Sequence, residues 1–324
     1  TFDLSDKVYR RQRKGRSRNR SPFLSGRSAM LCDSAGCFWV PPWISSLIMS
    51  IRDHSNLDPK ERTIRLSFPQ RIAILIGLLV AGLVGLLFLD PIAQDPAYHL
   101  FADDRSYLGI PHFNDVSSNT GFALVGVVGL LAVLGFRGQL VFDQPSDRRP
   151  YGVFFLGVAL ISLGSAYYHW APSNARLFWD RLPMVVAFTG FCAAVVADRI
   201  DAKAGNSWLL ALLIGLGILS LIYWQVTETH GRGDLRFYGL VQFYPMVAVP
   251  VACALFPARR YTAGRYIPWV IAWYALAKVF EGFDREIFSL TGETISGHTL
   301  KHLAATVATY VVLHMLTSPP RGRL

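Results

Sequence analysis

The chain has 324 residues, 52% of them hydrophobic and only 17% charged, with a positive mean hydropathy. A charged fraction below the roughly 25% of soluble domains, with apolar residues gathered into runs of about 18–21, excludes an ordinary soluble protein and predicts a polytopic membrane protein. The net charge of +10 does not argue for a nucleic-acid partner: residues 1–71 hold 14 Lys+Arg and 6 Asp+Glu, a net of +8, and the remaining 18 and 16 leave only +2.

In chain order, residues 1–71 read as a basic extension. Residues 7–20 are rich in Arg, Ser and Asn, a composition that predicts a solvated, disordered segment. Residues 38–51 are apolar and aromatic but carry two prolines, enough to touch a membrane surface and too short to span it. Cys32 and Cys37 lie in this region, Cys192 and Cys253 in later apolar runs. That distribution predicts no disulfide framework, and Cys32-x4-Cys37 without a second pair is a weak metal pattern. The apolar part lacks the order and length of a secretory signal. Met49, ahead of the polar residues 50–67, reads as the more natural start, which makes residues 1–48 in part upstream sequence.

Eight membrane spans are predicted after Gln70, roughly 72–89, 116–136, 152–170, 179–197, 207–224, 237–256, 266–283 and 296–316. The first carries no chemistry. Its Gly77, Ala81 and Gly85 recur every four residues, which predicts a helix-packing face, and it reads as an anchor added before a seven-helix core. No internal repeat suggests a transporter built from duplicated halves. With the N-terminus in the cytoplasm, loops on that side carry ten Lys or Arg against five opposite, where Asp90, Asp95, Asp103 and Asp104 crowd the first loop. The positive-inside bias then predicts cytoplasmic termini, with 317–324 as a cytoplasmic tail. The membrane is the inner one in a bacterium, ER or Golgi in a eukaryote.

The last span opens on Ser296-Gly-His-Thr-Leu-Lys-His302. His298 and His302, four apart, share one helical face and can grip one metal ion. Such a pair is costly in a membrane helix unless it meets a cavity, a partner or a metal. His169 is the candidate third ligand, with Ser165 one turn before it, and Asp180 opens the next span on the same side of the membrane. Taken singly, each has a plainer reading: a hydrogen-bonded helix-end His, a helix-bridging His pair, and an Asp that caps its helix or pairs with Arg181 or Arg176. Together, three His leave a tetrahedral zinc one open position, the catalytic arrangement. Asp180 is the candidate for proton transfer, and Ser165 for donating to an oxyanion or fixing the water. These parts predict a metal-dependent amide or ester hydrolase with metal-activated water as nucleophile. Two further readings are a receptor-like lipid binder with little turnover and a membrane metal-binding or transport protein.

Other polar residues sit in apolar surroundings. Lys278–Glu281 and Glu281–Arg285 are spaced to pair along one face near Asp284, as a structural ladder or as a lining for a substrate head group. Lys301 is a partner for Glu281 or Asp284. Asp115 and its neighbours cap the first core helix, and Asn119, a turn inside, is the candidate for holding a zinc ligand from behind. Pro245 and Pro250 predict a kink that opens room for an acyl chain.

The order Ser-x3-His, Asp eleven residues later, and a terminal His-x3-His resembles the alkaline ceramidases of the CREST superfamily of membrane hydrolases. Asp115-Val-Ser-Ser-Asn119 and Trp179-Asp-Arg-Leu-Pro183 extend the resemblance, which covers 103–316 and leaves out the extension and the first span. It implies an all-α, seven-transmembrane core, zinc on His169, His298 and His302, proton transfer by Asp180, assistance from Ser165, and hydrolysis of ceramide to a sphingoid base and a fatty acid. The acidic calcium-binding stretch of the animal enzymes is replaced here by residues 101–112, with Asp103 and Asp104, so calcium is not carried over.

Overall fold

A computed structural model describes residues 29–33, 36–40, 66–136, 140, 142–258 and 260–318. The chain divides into two units, Thr1–Thr63 and Ile64–Leu324. In the first, β1 (Ala29–Asp33) and β2 (Gly36–Val40) pair antiparallel, with Cys32 opposite Cys37. This ribbon was not foreseen from composition. Residues 7–20, Met49 and most of 38–51 lie outside the described residues.

The second unit is helical: α1 (Phe68–Leu87), α2 (Phe113–Ser117), α3 (Thr120–Val133), α4 (Arg148–Trp170), α5 (Asn174–Arg199), α6 (Ala202–Gly205), α7 (Trp208–Thr229), α8 (Arg236–Leu255), α9 (Ile267–Gly282), α10 (Asp284–Leu290) and α11 (Gly297–Thr317). Six stretches are long and apolar enough to cross a membrane: α1, Phe113–Val133, α4, α5, α7 and α8. This is the build of a multi-pass membrane protein. The two other predicted spans, α9 and α11, form helices but fall outside that set; α9 has 16 residues and carries Lys278 and Glu281, and α11 carries His298, Lys301 and His302 at its start and His314 in its last turn.

Helix α5 is the hub. It packs on α4, α7 and α8, while α11 packs on α9 and α3. Phe154, Phe155, Val158, Phe191 and Val195 centre one buried cluster; Leu177, Val185, Leu221 and Trp224 centre another. Two glycines let backbones meet where the site is built. A Cβ on Gly164 would stand 2.2 Å from the Trp179 carbonyl oxygen, and one on Gly297 would stand 2.3 Å from that of Phe280. Ser165 and His298 follow these glycines directly, so close helix approach delivers both side chains.

The first span packs differently from the prediction. A Cβ on Gly77 or Gly85 would meet nothing within 4 Å, whereas one on Gly82 would lie 3.1 Å from Leu240 of α8. At about 100° per residue, Leu75, Gly82 and Leu86 share a face centred about 120° around the helix from the Gly77–Gly85 stripe. Polar tethers select that face: Tyr244 donates to the Leu75 carbonyl (3.0 Å), and Arg236 to that of Leu86 (3.2 Å). Pro245 and Pro250 lie inside α8, as Pro183 does inside α5.

Gly164→Val should destabilise the unit by about 1–3 kcal/mol, as overpacking does. Gly77→Val, in open space, serves as its control. Thermal melting of the purified variants in detergent measures both; equal melting temperatures would refute the packing account.

Candidate metal centre

His169 ends α4, and His298 and His302 occupy the first two turns of α11. All three are buried, at 1%, 3% and 3% exposure. One ligand nitrogen from each lies within 4.8 Å of the others, and His169 Nε2 stands 3.2 Å from His298 Nε2. Two nitrogens each 2.0–2.1 Å from a tetrahedral zinc would be about 3.3 Å apart, so the cluster fits a metal ion. Among the described residues this is the one group of three or more such ligands that gathers so closely.

The surroundings aim the rings. The Ser118 hydroxyl donates to the Asp115 carbonyl (3.1 Å) and therefore accepts from His302 Nδ1 (2.8 Å). That assigns the proton to Nδ1 and leaves the His302 Nε2 lone pair free for a ligand. The His298 backbone N–H donates to Asp284 (2.7 Å), whose other oxygen accepts from Ala102 (2.9 Å). Ser296 caps α11 by accepting from Thr299 N–H (3.0 Å), and the Thr299 hydroxyl donates to buried Asp115 (2.7 Å). Asn119 donates to the Asp115 carbonyl (2.7 Å) and touches no His. The supporting role expected of it belongs to Ser118, one residue earlier and about 100° around the helix.

Residues 101–112 form a lid. The Phe101 ring lies 4.6 Å from that of His169 and 4.5 Å from that of His298, centroid to centroid. Arg105 grips Asp103 with two bonds of 2.7 Å, and Asn114 adds a third at 2.8 Å. Both Asp103 oxygens are thus engaged within the chain. Burial raises the pKa of this carboxyl, and the Arg105 and Asn114 hydrogen bonds more than reverse that, holding it below the ordinary value.

Asp180 is buried in the first turns of α5, and Ser165 is buried in the last turns of α4. Both residues and His302 line a cavity of about 610 Å³. Neither Arg181 nor Arg176 is its ion-pair partner. Arg181 instead sits among aromatic rings, 4.5 Å from Trp224 and 4.9 Å from Tyr238, and donates to Gln94 (2.6 Å). It also lines the cavity, a role its sequence position did not reveal. Glu281 pairs with Lys278 as the spacing predicts and with Lys301 (3.1 Å), and accepts from Tyr98 (3.0 Å). The predicted Glu281–Arg285 pair does not form; Arg285 donates to the Leu100 carbonyl (3.3 Å), because the helix breaks at Phe283 and turns Arg285 to the lid.

Comparison with protein-family models and with curated proteins finds no match to this chain.

Ser118→Ala should cut metal affinity about 10–100-fold with the ligands intact, as loss of a supporting hydrogen bond does; competition against a chromophoric chelator reads it, and unchanged affinity would remove Ser118 from the site. The lid carries its own pH dependence. A depressed carboxyl contributes stability that is present above the ordinary carboxylate pKa and lost as pH falls through the folded value. Hydrogen-exchange protection over 101–112, after correction for the intrinsic pH dependence of exchange, should therefore fall on acidification, and Asp103→Asn should abolish that fall.

Proposed function

We propose that this chain is a zinc-dependent amide hydrolase of the membrane, acting on ceramide or a related N-acyl lipid. In this reading all eight long helices cross the bilayer, the termini are cytoplasmic, and the His cluster lies toward the other side, in keeping with the loop charges. One observation carries it. The three buried His meet one another, and one of them, His302, lines with Ser165 and Asp180 a cavity whose wall is mostly apolar. That cavity follows α5 from Asp180 to Phe191 and α11 from His302 to Val312. Eleven residues of helix span roughly 16 Å, room for a good length of acyl chain. Amide hydrolysis and an apolar tail are the two demands of an N-acyl lipid, and the cavity offers something to each.

A zinc ion held by His169, His298 and His302 supplies Lewis-acid polarisation of the carbonyl and lowers the pKa of water. Asp180 takes the proton of the attacking water. It passes the proton to the amide nitrogen as the C–N bond breaks, which yields a fatty acid and a free amine. Ser165, which lines the same cavity as Asp180 and His302, donates its one hydroxyl proton to the developing oxyanion. Phe101 keeps bulk water off the His rings. Lys278, Glu281 and Lys301 give a polar rim on which the hydroxyls of a sphingoid head group can bond. The resemblance to alkaline ceramidases supports ceramide as the substrate within this class.

A mass-spectrometric product assay on ceramides, other N-acyl lipids and lysolipids, with and without chelator, tests the proposal. The expected result is chelator-sensitive release of fatty acid and sphingoid base. Asp180→Asn should retain the metal and lose about 10²–10⁴-fold in kcat, the range for a lost acid–base group. Lipid binding without turnover across the panel would favour the receptor-like reading and defeat this one.

A further inference from the structure

The opposite end of the helix bundle holds a second polar cavity, which hydrolysis does not use. It has a volume of about 330 Å³, and Asp143, Asp147, Tyr151, Asp198, Asn206 and Tyr261 are in its wall. Tyr151 precedes His169 by 18 residues on α4 (169 − 151), and Asp198 follows Asp180 by 18 on α5 (198 − 180). At 1.5 Å per residue the two sites are roughly 27 Å apart, near opposite ends of these spans.

The wall is acidic and incompletely bonded. Asp198 is saturated by the backbone N–H groups of Arg260, Tyr261 and Thr262 and by the Thr262 hydroxyl. Asp143 pairs with Arg260. Among the described residues Asp147 receives neutral donors, Asn206 Nδ2 at 2.7 Å and the Tyr261 hydroxyl at 3.4 Å. That same hydroxyl lies 3.2 Å from Asp143 and has one proton to share between the two carboxylates. Three carboxylates thus face one guanidinium in the wall; Arg199 is occupied by Thr262 and by the carbonyls of Cys253 and Phe256.

Two buried atoms in the wall have no hydrogen-bond partner at all: the Tyr151 hydroxyl, on a residue 1% exposed, and Asn206 Oδ1, on one 4% exposed. A polar group that is buried without a partner has lost its water and gained nothing in return. Asn206 Oδ1 and the Asp147 carboxylate can only accept, and the Tyr151 oxygen is able to. A donor-only, positively charged group satisfies all three. The rings of Tyr151 and Tyr261, 6.2 Å apart between centroids, add the aromatic surface that cations favour. A bare metal ion fits poorly, because these carboxylates do not gather their oxygens within one ligand sphere as the His cluster gathers its nitrogens.

We propose that this cavity binds a primary ammonium group, through Asp147, Asn206 and Tyr151. The ammonium can belong to a free polyamine or to the head group of an aminophospholipid. Binding of spermidine to the purified full chain in detergent, and retention of phosphatidylethanolamine over phosphatidylcholine in nanodiscs, test the two sources by native mass spectrometry. Tyr151→Phe removes a hydroxyl that bonds to nothing in the protein, so its ligand-free melting temperature should equal that of the wild type. It should nevertheless weaken the amine about tenfold, and Asp147→Asn should weaken it at least as much. Spermidine binding identifies the free amine, and selective retention of phosphatidylethanolamine without spermidine binding identifies the lipid. Binding of neither, equal retention of the two lipids without spermidine binding, or binding that both variants leave unchanged would overturn the proposal.

Discussion

Three imidazoles buried with two of their ring nitrogens 3.2 Å apart set the terms for the rest of this structure. Lone pairs at that separation repel unless a proton or a cation lies between them, and burial removes the water that would screen them. The elements around the cluster answer this constraint. Ser118 and the Asp115 carbonyl fix one ring, Asp284 fixes the backbone of another, and Phe101 closes the face over His169 and His298. Gly164 and Gly297 let α4 and α11 come close enough for the three rings to meet.

The same arrangement divides polar from apolar. Ionisable groups collect at one end of the 610 Å³ cavity, where Glu281 draws Lys278, Lys301 and Tyr98 together, while Phe154, Phe188, Phe191 and Val312 line the remainder. A cavity so divided suits an amphiphile whose polar end is held while its tail is accommodated. Helix α1 contributes to that wall through Gly82 and Leu86, although none of its residues is buried. Side-chain bonds from α8 to its backbone carbonyls hold it there. Bonds of this kind compensate for the absence of a hydrophobic driving force between helices in lipid.

Much of this was legible in the sequence because it depended on local periodicity. The i,i+4 spacing of His298 and His302, and of Ser165 and His169, fixed which side chains shared a face, and the up-and-down alternation of the spans put the ends that carry His169 and His298 on the same side. What stayed hidden depended on rotation and long-range contact. Asn119 and Ser118 differ by one residue, and spacing alone did not say which faces His302. The Gly77–Gly85 stripe marks where a helix can be approached closely, and the neighbour packs on a face about 120° around from it. Arg181 in its aromatic box, the Phe101 lid and the Arg285 bond to Leu100 join residues distant in sequence, for which no periodic signal exists. The β1–β2 ribbon was missed because a basic, polar composition outweighed two short runs.

Metal content tests the central claim most directly. Elemental analysis of the purified wild-type chain should find about one zinc per molecule, and the same measurement on His302→Ala should find almost none. A folded, fully active wild type that carries no metal would contradict the account.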